Sequence, residues 1–82
     1  MTLDPVKLGE RVMLSRRRRG WTQLQLEEVS GVRVVTIARV ERARMPKVSL
    51  DVVVRLATAM DASIDDWVGL REDHVHMNTS GQ

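Results

Sequence analysis

The 82 residues offer little that could do covalent chemistry. The histidines, His74 and His76, form a His-x-His pair in a polar stretch beside Glu72 and Asp73, and there is no cysteine to complete a ligand set. No glycine-rich loop of the phosphate-cradling kind is present. The expectation is a chain that is not an enzyme and carries no metal and no cofactor. What the sequence does carry is the means to hold an anion. Residues 1–47 contain eleven Lys/Arg against five Asp/Glu, a net of +6, whereas residues 48–82 have a net of −4, within a whole-chain charge of +2. Arg16–Arg19, Arg33, Arg39, Arg42, Arg44 and Lys47 all lie in the basic half. Such asymmetry suits one face to a polyanionic partner. Solvated charge on amphipathic helices gives part of the same pattern, so the elements that carry these residues decide.

Those elements read as helices. No sustained period-2 alternation bounded by turns is present, and the fold class expected is all-α with five short helices. Asp4-Pro5 is an N-cap and N1 pair for a first helix running to Arg19, with Leu8, Val12 and Ser15 on one face and Gly20 to end it. Thr22 caps a second helix to Ser30 that buries Leu26 and Val29. Gly31 makes a sharp turn, Val32 packs inward, and a third helix spans Arg33–Arg42 with Ile37 and Val40 as its buried stripe. After a loop over residues 43–48 containing Pro46, Ser49 caps a fourth helix to Met60, with Leu50, Val53, Leu56, Ala57 and Met60 inward. Ser63 and Asp66 resemble a capping box that opens a fifth helix through Leu70. Residues 1–70 thus form one domain, and residues 71–82 read as a flexible polar tail.

Two short helices joined at a glycine turn form a helix-turn-helix pattern. The Gly-Trp-Thr-Gln run at Gly20–Gln23, Leu26, Gly31-Val32, Ile37, Glu41, Pro46 and the Leu56-Ala57…Met60 stretch are spaced as in the lambda-repressor-like (Cro/C1, Xre) family. The chain resembles that family from about Leu8 to Val68. The resemblance implies a five-helix DNA-binding domain whose third helix enters the major groove. It places Val34, Val35 and Arg39 at base edges. An arginine can bond guanine O6 and N7 together, and valines can touch thymine methyl groups. It implies that the N-terminus of the second helix, with Thr22 and Gln23, grips a phosphate, where free N–H groups and the helix dipole favour an anion. Arg33, Thr36, Arg42, Arg44 and Lys47 are the other expected phosphate contacts.

Arg16 lies one turn after Val12 on the buried face of the first helix, and Glu41 follows Ile37 by four residues on that of the third. The family pairs the matching residues as a structural ion pair. Arg17–Arg19 read as a solvated basic face. Ile64, Trp67, Val68 and Leu70 crowd a helix too short to bury them all, and the family's last helix commonly joins a twofold dimer. Two positions depart from the pattern. Glu27 stands where a small residue is usual between crossing helices, and Ala43 stands where glycine usually turns the chain. The third helix is therefore expected to run longer, since a left-handed alanine costs about 1 kcal/mol.

The function expected is a sequence-specific transcriptional regulator that binds a pseudo-palindromic double-stranded DNA operator as a homodimer. A restriction–modification controller is one identity of this size. An antitoxin-type protein, which binds a partner protein as well as its own operator, uses the same fold. No apolar stretch is long enough to span a membrane and no cysteine is present, which fits a cytoplasmic protein.

Overall fold

The computed structural model describes residues 4–64 and Trp67. Four helices run through them: α1 (Pro5–Arg18), α2 (Gln23–Ser30), α3 (Val34–Glu41) and α4 (Leu50–Ala59). The Asp4 carboxylate accepts the N–H groups of Val6 and Lys7 at 2.9 and 3.3 Å, which fixes the start of α1. Thr22 and Gln25 form a reciprocal capping box at α2: Thr22 Oγ1 accepts the Gln25 N–H at 3.0 Å, and Gln25 Oε1 accepts the Thr22 N–H at 2.7 Å. Ser49 Oγ caps α4 through the Val52 N–H at 3.2 Å. Among the described residues no helix is long and apolar enough to cross a membrane.

Three of the helices close in the same way. Gly20, Ala43 and Asp61 have φ of 70°, 56° and 51° and follow the C-caps of α1, α3 and α4. In each, the next residue reaches back: the Trp21, Arg44 and Ala62 N–H groups donate to the Arg16, Arg39 and Ala57 carbonyls at 3.2, 2.8 and 2.8 Å. This is the Schellman closure, which satisfies carbonyls the helix leaves open. Helix α3 accordingly stops at Glu41, and the expected longer helix does not form. The two backbone bonds made by Ala43 and Arg44 offset the strain at Ala43.

The core is a single cluster of Leu8 and Val12 from α1, Leu26 from α2, Val32 from the turn, Ile37 and Val40 from α3, Val53, Leu56 and Ala57 from α4, then Met60 and Trp67. Helix α1 packs on α3, and α2 packs on both α3 and α4. Two expected core residues are not in it. Val29 is 54% exposed, because the inward side of α2 turns from Leu26 toward Gln23 and Ser30. Leu50 is 63% exposed, since the first turn of α4 overhangs a core that begins at Val53. Of the expected fifth helix, Ile64 and Trp67 are described: Ile64 packs against the core and Trp67 belongs to it, at 3% exposure. Val68, Leu70 and residues 71–82 lie outside the described residues.

Gly9, which the sequence reading passed over, sets the α1–α3 approach. It is buried, and a β-carbon there would sit 2.4 Å from the Val40 carbonyl oxygen and 2.9 Å from that of Glu41. Only a residue without a side chain lets α1 lie this close to the end of α3.

Candidate nucleic-acid interface

Helix α3 has two unlike sides. Ile37 and Val40 are buried at 0% and 1% exposure, while Val35, at 53%, and Arg39 face outward. Val34, Thr36 and Ala38 are half-buried at its flanks. Arg33 precedes the helix as its exposed N-cap, and Arg42 follows as its exposed C-cap. The closure at Ala43 folds the chain straight back, so that Val35, Ala38, Arg39, Arg42 and Arg44 line one open hollow. Lys47 is exposed farther along the loop. The expected base-reading residues Val35 and Arg39 are therefore contiguous with two of the expected phosphate anchors, and Val34, half-buried, does not line the hollow.

Behind this surface stands a polar clamp. Arg16 Nε donates to Glu41 Oε2 at 2.7 Å and Arg16 Nη2 to Glu41 Oε1 at 2.9 Å, a two-pronged pair with side chains only 11% and 5% exposed. The third arm, Nη1, donates to the Trp21 carbonyl at 2.8 Å. The Glu41 hydrogen bond raises the Arg16 guanidinium above its ordinary range; burial pulls the other way, and attraction to the Glu41 charge adds to the rise. Gln23 joins the same carboxylate, its Nε2 donating to Glu41 Oε1 at 3.0 Å. One side-chain N–H of Gln23 is thereby committed to the fold. Thr22 is exposed, with its hydroxyl on Gln25 and its own N–H on the Gln25 amide. The N–H groups of Gln23 and Leu24, in the first turn, precede the intrahelical ladder and are the ones that α2 offers to an anion.

Two residues behave differently from the sequence reading. Glu27 does not crowd the α2–α3 crossing; its Oε1 accepts the Val34 N–H at 2.7 Å, at the start of α3, where Arg33 supplies no side-chain cap. Arg19 is not merely a solvated charge. It donates to the Met60 carbonyl at the end of α4, and its guanidinium lies 5.6 Å from the centre of the Trp21 ring. The signal for Glu27 was its oddness at a helix crossing. The signal for Gly9 was a glycine inside a helical pattern, which marks a close backbone approach.

With two short helices set by a glycine turn and an exposed basic face on the second, the chain belongs to the helix-turn-helix family, of Cro/C1 type, which matches residues 12–67. That is a class of DNA-binding transcription regulators. Among solved structures it is similar to the restriction-modification controller protein C.AhdI from Aeromonas hydrophila, with 34% identity over 78% of this chain and 96% of that one and a TM-score of 0.71. It is also similar to the clp gene regulator ClgR from C. glutamicum, with 28% identity, 93% and 95% coverage and a TM-score of 0.69. The hypothetical transcription factor NHTF from Neisseria shares the fold at 22% identity, with 94% of both chains covered and a TM-score of 0.73. No curated protein sequence matches the chain.

Proposed function

We propose that the protein is a sequence-specific transcriptional regulator that binds a pseudo-palindromic operator as a homodimer, with α3 in the major groove. The observation that carries this reading is the single outward surface that Val35 and Arg39 of α3 form with Arg42 and Arg44 just beyond it, on the side opposite Ile37, Val40 and Glu41, which lock the helix. Val34, Val35 and Arg39 read base edges. Arg33, Thr36, Arg42, Arg44 and Lys47 hold phosphates, with Thr22 and Gln23 at the start of α2 gripping a further one. The second copy docks on the segment containing Ile64, Trp67, Val68 and Leu70. The similarity to a restriction-modification controller protein favours a regulator of that kind.

The test is a binding panel over every single-base variant of an operator, repeated from 50 to 200 mM salt. A dimer with roughly six to ten phosphate contacts loses about 10³–10⁵ in affinity over that range. Arg39→Ala costs about 1–3 kcal/mol on the cognate site and relaxes selectivity at one base pair. Arg44→Ala weakens all duplexes alike and lowers the salt slope by about 1 per subunit. A flat salt response refutes DNA binding as the main function. Exchanged behaviour of the two variants reverses reader and anchor, and stable co-purification of a different protein favours the antitoxin-type reading.

A further inference from the structure

Helix α2 touches α3 at both ends through one face. Gln23 and Glu27 are four residues apart, so their side chains stand one above the other on α2. Gln23 bonds Glu41, the last residue of α3, and Glu27 bonds the N–H of Val34, the first. The C-terminal end of α3 has a second support in Arg16, which also holds Glu41. At the N-terminal end, Arg33 contributes no side-chain cap, and the Glu27 carboxylate is the side chain that takes up an open N–H there, that of the first residue, Val34. It also places a negative charge at the positive end of the α3 dipole. A short helix has few internal hydrogen bonds to resist fraying, and the residues of its first turn keep their direction only if that turn is held.

We propose that Glu27 is a positioning residue for sequence discrimination: by holding the first turn of α3 against α2, it fixes the direction in which Val34 and Val35 meet the bases. This rests on the reading of α3 as the helix that contacts DNA. The device is local to one end. Arg39 lies in the turn that Arg16 and Gln23 secure through Glu41, so its base contact does not depend on Glu27. A glutamine at this position keeps an acceptor oxygen on a side chain of the same length but removes the charge.

The experiment has two readouts, amide exchange without DNA and the single-base panel with DNA, applied to the wild type, Glu27→Gln, Glu27→Ala and Val53→Ala. Val53→Ala loosens the core from α4 and controls for general destabilisation. The wild type penalises a wrong base by roughly fivefold to hundredfold per position. In Glu27→Ala the Val34 amide loses protection, and the penalty falls at least threefold or so at positions facing Val34 and Val35 while holding at the Arg39 position. Glu27→Gln keeps the wild-type pattern of penalties, and Val53→Ala leaves that pattern in place at whatever stability remains. If Glu27→Ala retains every base penalty beside a selective wild type, the inference fails whether or not Val34 exchange changes. Equal loss at all positions, or the same loss in Val53→Ala, overturns it as well. A wild type with no base preference overturns the DNA-reading function itself, a result separable from the first because it shows before any variant is compared.

Discussion

The Glu41 side chain receives three hydrogen bonds from two residues of two other helices, although its own helix is the one proposed to enter the DNA. A carboxylate this enclosed is tolerable only while its cation is present, because an unpaired buried charge has no water to compensate it. Arg16→Ala and Glu41→Ala should therefore each destabilise the fold by about 3–5 kcal/mol, and the double variant by much less than their sum. Denaturant melts of the three proteins provide the check; additive losses would show that the pair contributes nothing as a pair. Since Arg16 is raised above the ordinary arginine range, its share of this stabilisation is present at every pH below that range. It is lost only as the pH climbs through the raised value, so the arginine introduces no pH dependence near neutrality. A second residue-scale expectation concerns Ala43, held at φ 56°. Ala43→Gly should remove about 1 kcal/mol of left-handed strain, partly offset by the greater freedom of glycine when unfolded. A rise in melting temperature is the expected sign, and a fall would show that the Schellman closure gains more from the alanine methyl than the strain takes away.

At the level of elements, the contact that orients the fold is α1 against α3, and Gly9 is its hinge point. Alanine is the better helix former by about 1 kcal/mol, so Gly9→Ala would stabilise α1 in isolation. Within the fold its β-carbon would overlap the Val40 carbonyl, which is backbone and cannot swing aside. The expected result is a net loss of about 1–3 kcal/mol, as for other overpacked sites, with α3 displaced. A more stable Gly9→Ala protein, measured in urea, would refute this account of the α1–α3 approach. The helices themselves were legible in the sequence because their signals are local. Asp4-Pro5, Thr22, Gly31 and Ser49 act on neighbouring backbone groups, and the Leu26, Ile37, Val40 and Val53 stripes repeat at helical spacing. What escaped depends on the distance between elements. The Glu27 carboxylate needs the start of α3 within reach before it can bond it, and Val29 faces outward because of where α3 and α4 stand around α2. On the outward side of α3, the exposure of Val35 and Arg39 followed from a family pattern joined to helical periodicity. The sharing of one hollow with Arg44 followed from the left-handed Ala43, a turn that the alanine in place of the family's glycine had argued against.

At the scale of the whole molecule, the proposed function divides the work between the basic and the acidic half: α3 and its loop would meet the polyanion, and the last segment would meet a second copy. A dimer of this kind is isologous, so the two reading helices engage half-sites about one helical turn apart. Leu70→Asp should yield monomers in sedimentation and should lose affinity for a full operator far more than for a single half-site. A dimeric Leu70→Asp protein would move the interface elsewhere.

The fold also equips the protein with its own optical reporters. It has two tryptophans and neither tyrosine nor phenylalanine, so its near-ultraviolet emission belongs to the indoles alone. Trp67 sits inside the apolar core, where an indole emits toward the blue and reports whether the chain is folded. Trp21 is half-exposed, lies beneath the Arg19 guanidinium and immediately precedes the first residue expected to grip DNA. A phosphate arriving at Thr22 would compete for the neighbouring charge and alter the redder component of the spectrum while leaving the bluer one still. Docking and unfolding thus acquire separate colours in an unlabelled protein.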